Sequence, residues 1–354
     1  MSTRERRDRS DKADRDLSEL FLAAVAKHQI PINSVALAAV GGYGRGELSP
    51  GSDLDITIIH KAKNQKLDEF VSDFLYPLWS SGVQIDHSVR TPEELIEVAK
   101  TDIRVILGAL DLRFIAGSEE LSSEASEKIV KLWQTDYKKF LSDLHKSINE
   151  RSDRNGELAF LLEPDLKEAR GGLRDANTLR ALSLLGRERV PLEKISEAQV
   201  FLQNVRDSLH TAVTKPRDQL LLTEQDKVAE LMGFNNADEL MMMVAKSART
   251  IDYVTDSVWH SIEHKKKRFP LRKSIRLAAG VISEAGEINL EPNFKLNENS
   301  EIGMRAAAIA AQQGLPLSPE FVLQIAENFS PLPSPWPRQV REDLISFIGA
   351  GSSM

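Results

Sequence analysis

Two aspartates one residue apart, Asp53 and Asp55, head an apolar run, Asp-Leu-Asp-Ile-Thr-Ile-Ile, that ends at His60. On a strand, residues i and i+2 point to the same face, so these carboxylates would stand side by side, roughly 7 Å apart at Cα. Left uncompensated they would repel each other and resist desolvation. A divalent cation removes that cost, and hard oxygen donors suit Mg²⁺. Directly upstream, the apolar run Val35–Val40 ends in Gly41-Gly42-Tyr43-Gly44-Arg45-Gly46. Glycines after a buried strand let the backbone fold tightly and present N–H groups to an anion with no Cβ in the way. No Gly-Lys-Ser/Thr follows, so this is not a Walker A loop, and the spacing is not that of the dinucleotide fingerprint. A bare Asp-x-Asp is usually an ordinary strand start. With a glycine turn just ahead of it, the pair points to two-metal phosphoryl or nucleotidyl transfer.

A third carboxylate would complete such a site, and Asp86 is the best placed, inside Val-Gln-Ile-Asp-His-Ser-Val-Arg (83–90). That stretch reads as a strand able to pair beside the one bearing Asp55. An edge-strand surface acid is the other reading, and the residues leave both open. Asp102 and Asp111 fall on predicted helices and are set aside. A second charged cluster, Glu163-Pro164-Asp165-Leu166-Lys167-Glu168-Ala169-Arg170-Gly171-Gly172-Leu173-Arg174-Asp175, reads as a loop, a Gly-Gly break and a helix start. Lys167, Arg170 and Arg174 suit a loop reaching back to nucleotide phosphates. They suit equally well ion pairs with Asp165, Glu168 and Asp175.

The elements that must position these groups follow from periodicity. Met1 to about Asp14 alternates charges without apolar period and reads as a solvated, disordered tail. Leu17–Lys27 has helical spacing, Val35–Val40 and Asp53–His60 read as strands, Lys66–Ser81 as a helix and Val83–Arg90 as a third strand. Strand, turn, strand, helix, strand is an α/β unit. Beyond Thr91 the texture is helical: Pro92–Lys100, Ile103–Phe114, Ser122–Glu150, Leu173–Leu185, Glu193–Ala212, Thr223–Gly233 and Asp238–Ile262 all fit, as expected of a bundle. The basic run His264–Arg268 reads as a solvated helix end. Val281–Leu296 is read as a small β excursion, and Ser330–Pro337 as a stiff proline-rich turn. The expected division is a tail at 1–14, an α/β catalytic unit at 15–120, a helical domain at 121–325, and a connector with a C-terminal helix at 326–354.

Gly41–Asp55 resembles the signature of the bacterial PII-protein uridylyltransferases, a branch of the DNA-polymerase-β-like nucleotidyltransferases. His87–Thr91 resembles a segment just after that family's third strand, and Glu163–Asp175 resembles its E-P-x-x-K-x-x-x-G-G-L-R-D helical-domain element. The resemblance runs from about Leu17 to Asp343. It implies a small mixed sheet with helices followed by an all-α bundle. It also implies Asp53, Asp55 and Asp86 as catalytic metal ligands, with Gly41, Gly42, Arg45, Ser52, Lys167 and Arg174 binding the nucleotide. The implied reaction is Mg²⁺-dependent transfer of UMP from UTP to a tyrosine of the PII nitrogen-regulatory protein. Alternatives are an ATP-using adenylyltransferase of PII or of glutamine synthetase, or a non-catalytic PII- or nucleotide-binding remnant. Family members usually continue into an HD phosphohydrolase domain and paired ACT domains. Here seven histidines include no adjacent His-Asp pair and nothing resembles an ACT repeat, so neither nucleotide removal nor glutamine sensing is expected.

Composition narrows the partners. The 354 residues include 46 Lys+Arg against 53 Asp+Glu, a net charge of −7 that argues against a general nucleic-acid binder. The absence of cysteine excludes disulfides, iron–sulfur clusters, thiol nucleophiles and Cys-bound zinc. No apolar run approaches the ~20 residues of a membrane span, and the charged N-terminus is unlike a secretory signal. A cytoplasmic, soluble protein without membrane partners is expected.

Overall fold

The computed structural model describes residues 2–61, 66–187, 190–266, 274–284, 286–296, 299–328 and 330–350. By its contacts the chain divides into two units, Met1–Val258 and Trp259–Met354.

The first unit is built on a four-stranded mixed sheet of order β3-β2-β1-β4. Its strands are β1 (Val35–Ala39), β2 (Leu54–His60), β3 (Ile85–Arg90) and β4 (Arg113–Gly117). β1 runs antiparallel to β2 and β4, and β2 runs parallel to β3. Every residue of β1 is buried, as its unbroken apolar sequence requires of a central strand. α1 (Thr3–His28) covers the sheet with α3 (Leu67–Ser80), and Phe21 meets Phe70 and Phe74 edge-on at 5.3 and 5.5 Å. One helical turn, α2 (Gly41–Gly44), joins β1 to the loop leading into β2. α4 (Pro92–Ala99) and α5 (Ile103–Ala109) connect β3 to β4.

The helical layer comprises α6 (Glu119–Thr135), α7 (Tyr137–Asn155), α8 (Leu173–Ser183), α9 (Leu192–Ala212), α10 (Leu222–Met232) and α11 (Ala237–Lys266), the last running past the division at 258. Trp133 of α6 stacks on Phe140 at 5.1 Å and donates its indole N–H to the Ala181 carbonyl at 3.0 Å, tying α6 and α7 to α8. The second unit holds an antiparallel sheet of β5 (Ile275–Ala278), β6 (Val281–Glu284) and β7 (Glu287–Leu290). It also holds α12 (Ile302–Gln313), α13 (Pro319–Glu327) and α14 (Arg338–Gly349), around a core of Val281, Ile288, Ile302, Ala306 and Phe321. Of the basic run His264–Arg268, positions 267 and 268 lie outside the described residues. The β excursion expected at Val281–Leu296 is β6 and β7 of this second sheet, which β5 extends to earlier residues, inside the stretch 121–325 otherwise read as helical.

The expected N-terminal tail is instead the first half of α1. Ser2 caps it in a reciprocal box with Glu5, and Arg4–Asp8 and Arg7–Asp11 pair one turn apart. Its buried face continues the stripe of Leu17 and Phe21 upward through Ser10 and Arg6, both almost completely enclosed. Because those two positions are polar, the helical period vanishes from any hydrophobic reading. The predicted helix 103–114 is also two elements. α5 stops at Ala109, and Phe114 belongs to β4, which adds to the edge of the sheet beside β1.

Candidate active site

β1 delivers the chain into the glycine turn, where Gly41 has φ +57°, the left-handed region that favours glycine. A Cβ there would meet the Asp55 Oδ2 at 3.4 Å, so the turn and the second carboxylate face each other directly. At Gly44 a Cβ would stand 2.0 Å from the Asp111 carbonyl oxygen, so no side chain fits. Tyr43 is buried beneath the turn and donates its hydroxyl to Asp14 of α1 at 2.6 Å.

The parallel pairing of β2 with β3 puts Asp55 opposite Asp86, with Asp53 two residues earlier in the loop before β2. Asp53 and Asp86 are exposed and Asp55 is half-buried. Burial lifts the Asp55 carboxyl above the ordinary carboxylate range, Asp86 and Asp53 reinforce the rise, and Lys167 and Arg45 oppose it. Among the described residues, none of the three carboxylates has a side-chain hydrogen bond or ion pair. Nor do any three His, Asp or Glu side chains there converge into a ready ligand set. The donors are hard oxygens whose mutual repulsion a divalent cation would relieve, which is the chemical fit expected of a Mg²⁺ site.

All nine residues singled out from the sequence line one cleft of about 1020 Å³. Arg45 is more engaged than expected. Its Nε donates to Glu47 at 2.7 Å and its Nη1 to Asp111 at 2.5 Å, leaving Nη2 directed toward Gly42. Asp111, expected on a helix, sits in the turn after α5 and also receives Arg180. Asp102 caps the start of α5. Ser52 accepts from the Ser49 amide at 3.3 Å and from Arg206 Nη1 at 3.4 Å.

The second motif divides its labour. Lys167 approaches Asp218 at 3.8 Å, and Arg174 pairs with Glu168. Arg170 turns away to Asp252 and Asp256 on α11. Asp165 caps the amides of Lys167 and Glu168 and, among the described residues, pairs with no cation. Asp175, wholly buried, takes the Gly171 amide at 2.7 Å and the Arg151 guanidinium. Gly171, at φ +80°, packs so closely on α11 that a Cβ would lie 2.6 Å from the Ala248 carbonyl oxygen. The Gly-Gly break is therefore a close-packing point, and Lys167 and Arg174 are left on the cleft wall.

Sequence reasoning missed several cleft residues: Arg151, Arg180, Arg206, His210 and Asp218. None belongs to a recognisable motif. Arg206 and His210 are four apart and so share a face of α9, a signal too common to single them out.

The chain from 139 to 259 matches the family model described as GlnD PII-uridylyltransferase, and residues 19–131 match that of a nucleotidyltransferase domain. It is 40% identical to the bifunctional uridylyltransferase/uridylyl-removing enzyme of Streptomyces coelicolor, across 98% of this chain and 43% of that protein. Enzymes of the same description from Mycobacterium tuberculosis (33% identity, 89% of this chain, 41% of the relative) and Corynebacterium glutamicum (32%, 95%, 48%) are similar in the same way. The chain thus spans a little under half the length of these curated relatives. No helix among the described residues is long and apolar enough to cross a membrane. With the glycine turn, the Asp-x-Asp strand and the Gly-Gly-Leu-Arg-Asp helix start in place, the chain belongs to the GlnD-type PII-uridylyltransferase family.

Proposed function

We propose that this chain transfers UMP from UTP to a tyrosine hydroxyl of a PII signalling protein in a Mg²⁺-dependent reaction, releasing pyrophosphate. The observation that carries the reading is the trio Asp53, Asp55 and Asp86, mutually repelling and, among the described residues, without side-chain hydrogen bonds or ion pairs, on the wall of a cleft otherwise rich in arginine. Asp53 and Asp55 would hold the metal, with Asp86 completing the set. Bound there, Mg²⁺ supplies charge neutralisation for the triphosphate and for the oxygen that attacks it.

The chain's own groups do the rest. A tyrosine hydroxyl has an ordinary pKa near 10 and attacks poorly as the phenol. Asp86, the most exposed face of the trio with Asp53, accepts the phenolic proton. The phenolic oxygen then bonds to the α-phosphorus, the bond from that phosphorus to the bridging oxygen breaks, and pyrophosphate leaves. The free Nη2 of Arg45, with Lys167 and Arg174, meets phosphate oxygens as charge moves onto the leaving group. The glycine turn lets the phosphates come close to the backbone.

The test is transfer of α-labelled nucleotide by the purified chain with Mg²⁺, using PII and glutamine synthetase as separate acceptors. Label on PII from UTP is expected. Label from ATP alone would overturn the donor assignment, and label on glutamine synthetase the acceptor. No transfer to either would leave a nucleotide- or PII-binding module.

A further inference from the structure

Asp218 lies in the segment between α9 and α10, outside both motifs, yet it touches the machinery of each. Its carboxylate receives Arg206 Nε at 2.6 Å and stands 2.9 Å from His210 Nε2 and 3.8 Å from Lys167 Nζ. Burial opposes its ionisation, but His210, Arg206 and Lys167 together hold it well below the usual carboxylate range. Its backbone carbonyl accepts the Leu166 amide at 2.9 Å, and two residues on, the Leu220 amide donates to Pro164. The segment is thus laced to the second motif along Pro164–Lys167.

The same partners reach the first motif. Arg206 Nη1 donates to Ser49 Oγ at 2.9 Å and to Ser52 Oγ at 3.4 Å. The Gly51 amide donates to His210 Nδ1 at 3.3 Å. An amide can only donate, so Nδ1 must accept, and the ring proton sits on Nε2, where it points at Asp218. His210 is buried, and Gly51 is wedged between its ring and Pro216: a Cβ on Gly51 would stand 2.2 Å from Pro216 and 3.1 Å from His210 Nδ1. Asp53 follows two residues later.

We infer that Asp218, through Arg206, His210 and Lys167, is the positioning residue that fixes the Ser49–Asp53 loop and presents Lys167 to Asp55. The inference rests on the proposed transfer reaction, but the loop geometry can be tested without it. Buried carboxylates that orient basic groups fix geometry that remote packing alone leaves loose.

Two substitutions of His210 separate positioning from packing. Asparagine places an amide oxygen where Nδ1 was and keeps an acceptor for Gly51, whereas glutamine keeps a donor for Asp218 and loses that acceptor. Positioning therefore predicts that His210→Asn, which keeps the acceptor for Gly51 but not its link to Asp218, retains the larger share of Gly51 amide protection in hydrogen exchange and of kcat. His210→Gln should lose at least tenfold in both, with KM for the acceptor protein unchanged. Asp218→Asn should lose tenfold or more in kcat along with Gly51 protection; should it fail to fold, the His210 pair decides. A purely packing role predicts the opposite order, because glutamine fills the buried space better. Equal or greater Gly51 protection and turnover in His210→Gln than in His210→Asn would overturn the inference. If the wild-type chain transfers no nucleotide, the proposed function fails, while Gly51 exchange still decides the loop.

Discussion

Replacing Asp55 with asparagine should stabilise the protein without metal and destabilise it, relative to the wild type, with metal. Paired strands lie about 4.8 Å apart, which sets the carboxylates of Asp55 and Asp86 at about 5–6 Å. At that range two unit charges repel by about 0.7 kcal/mol in water and about 3 kcal/mol at an effective dielectric of 20. Asp86 is exposed, so screening leaves about 1 kcal/mol. In a unit of this size that is about 2–4 °C in Tm. The neutral amide escapes the repulsion, so Asp55→Asn should melt about 2–4 °C above the wild type in EDTA. Metal at a hundredfold excess over Kd adds about 2.7 kcal/mol, or about 5–10 °C, to the wild type. The variant should gain little, and the two curves should cross. The pH dependence has a fixed sign. The folded carboxyl titrates above its ordinary value, so its destabilising charge is present at neutral pH and is relieved as pH falls through the raised pKa. The variant's advantage in EDTA should shrink over that window. Thermal melts with EDTA and with Mg²⁺, from pH 7.5 down to 4.5, measure all of this. An Asp55→Asn protein that melts below the wild type in EDTA, or keeps the full Mg²⁺ shift, would refute the metal assignment.

Arg45→Lys should lose about tenfold in kcat/KM for the nucleotide, on the order of 1.4 kcal/mol, because an ammonium cannot hold Glu47, Asp111 and a phosphate together; a change confined to the KM for the acceptor protein would make Arg45 a docking residue. Arg6→Met should cost about 3 kcal/mol in chemical denaturation, by stranding the buried Asp207, while Arg6→Met with Asp207→Leu should recover at least half of it. A neutral single substitution would show that Arg9 alone satisfies Asp207.

The glycine turn, the strand headed by Asp55 and the strand that sets Asp86 beside it were legible because each rests on local geometry. Asp55 stands near the start of β2 as its apolar run requires, Asp53 falls in the loop just before the strand instead of on it, and Asp86 had only to lie on the neighbouring strand. The Gly-Gly-Leu-Arg-Asp element was legible as a motif but not as a mechanism. Nothing in the letters says that Gly171 makes room for the Ala248 carbonyl, or that Asp175 is buried under Arg151. The first turns of α1 were hidden because their inward side chains, Arg6 and Ser10, are polar. β4 was hidden because its few residues follow α5 after a short turn, and its apolar letters fit either period. Asp218 was out of reach for a different reason. Its importance comes from what converges on it from α9 and from the second motif, a three-dimensional property with no signature in spacing.

The ion pair between Arg6 and Asp207 joins residues 201 positions apart. At bacterial synthesis rates of about 5–20 residues per second, the first of them waits about 10–40 s for the second. Through the latter part of that interval, once residue 86 has been made, the growing chain already carries the glycine turn and the acids Asp53, Asp55 and Asp86. It still lacks the α9 residues that grip both Arg6 of the first helix and the loop bearing Asp53. The order of synthesis therefore delays the grip on the loop bearing Asp53 until α9 and the segment after it emerge. Ribosome-stalled chains ending near 200 should fail to protect the Gly51 amide, whereas those long enough to expose residue 220 should protect it. Arg6, made long before Asp207, gains its buried partner only then.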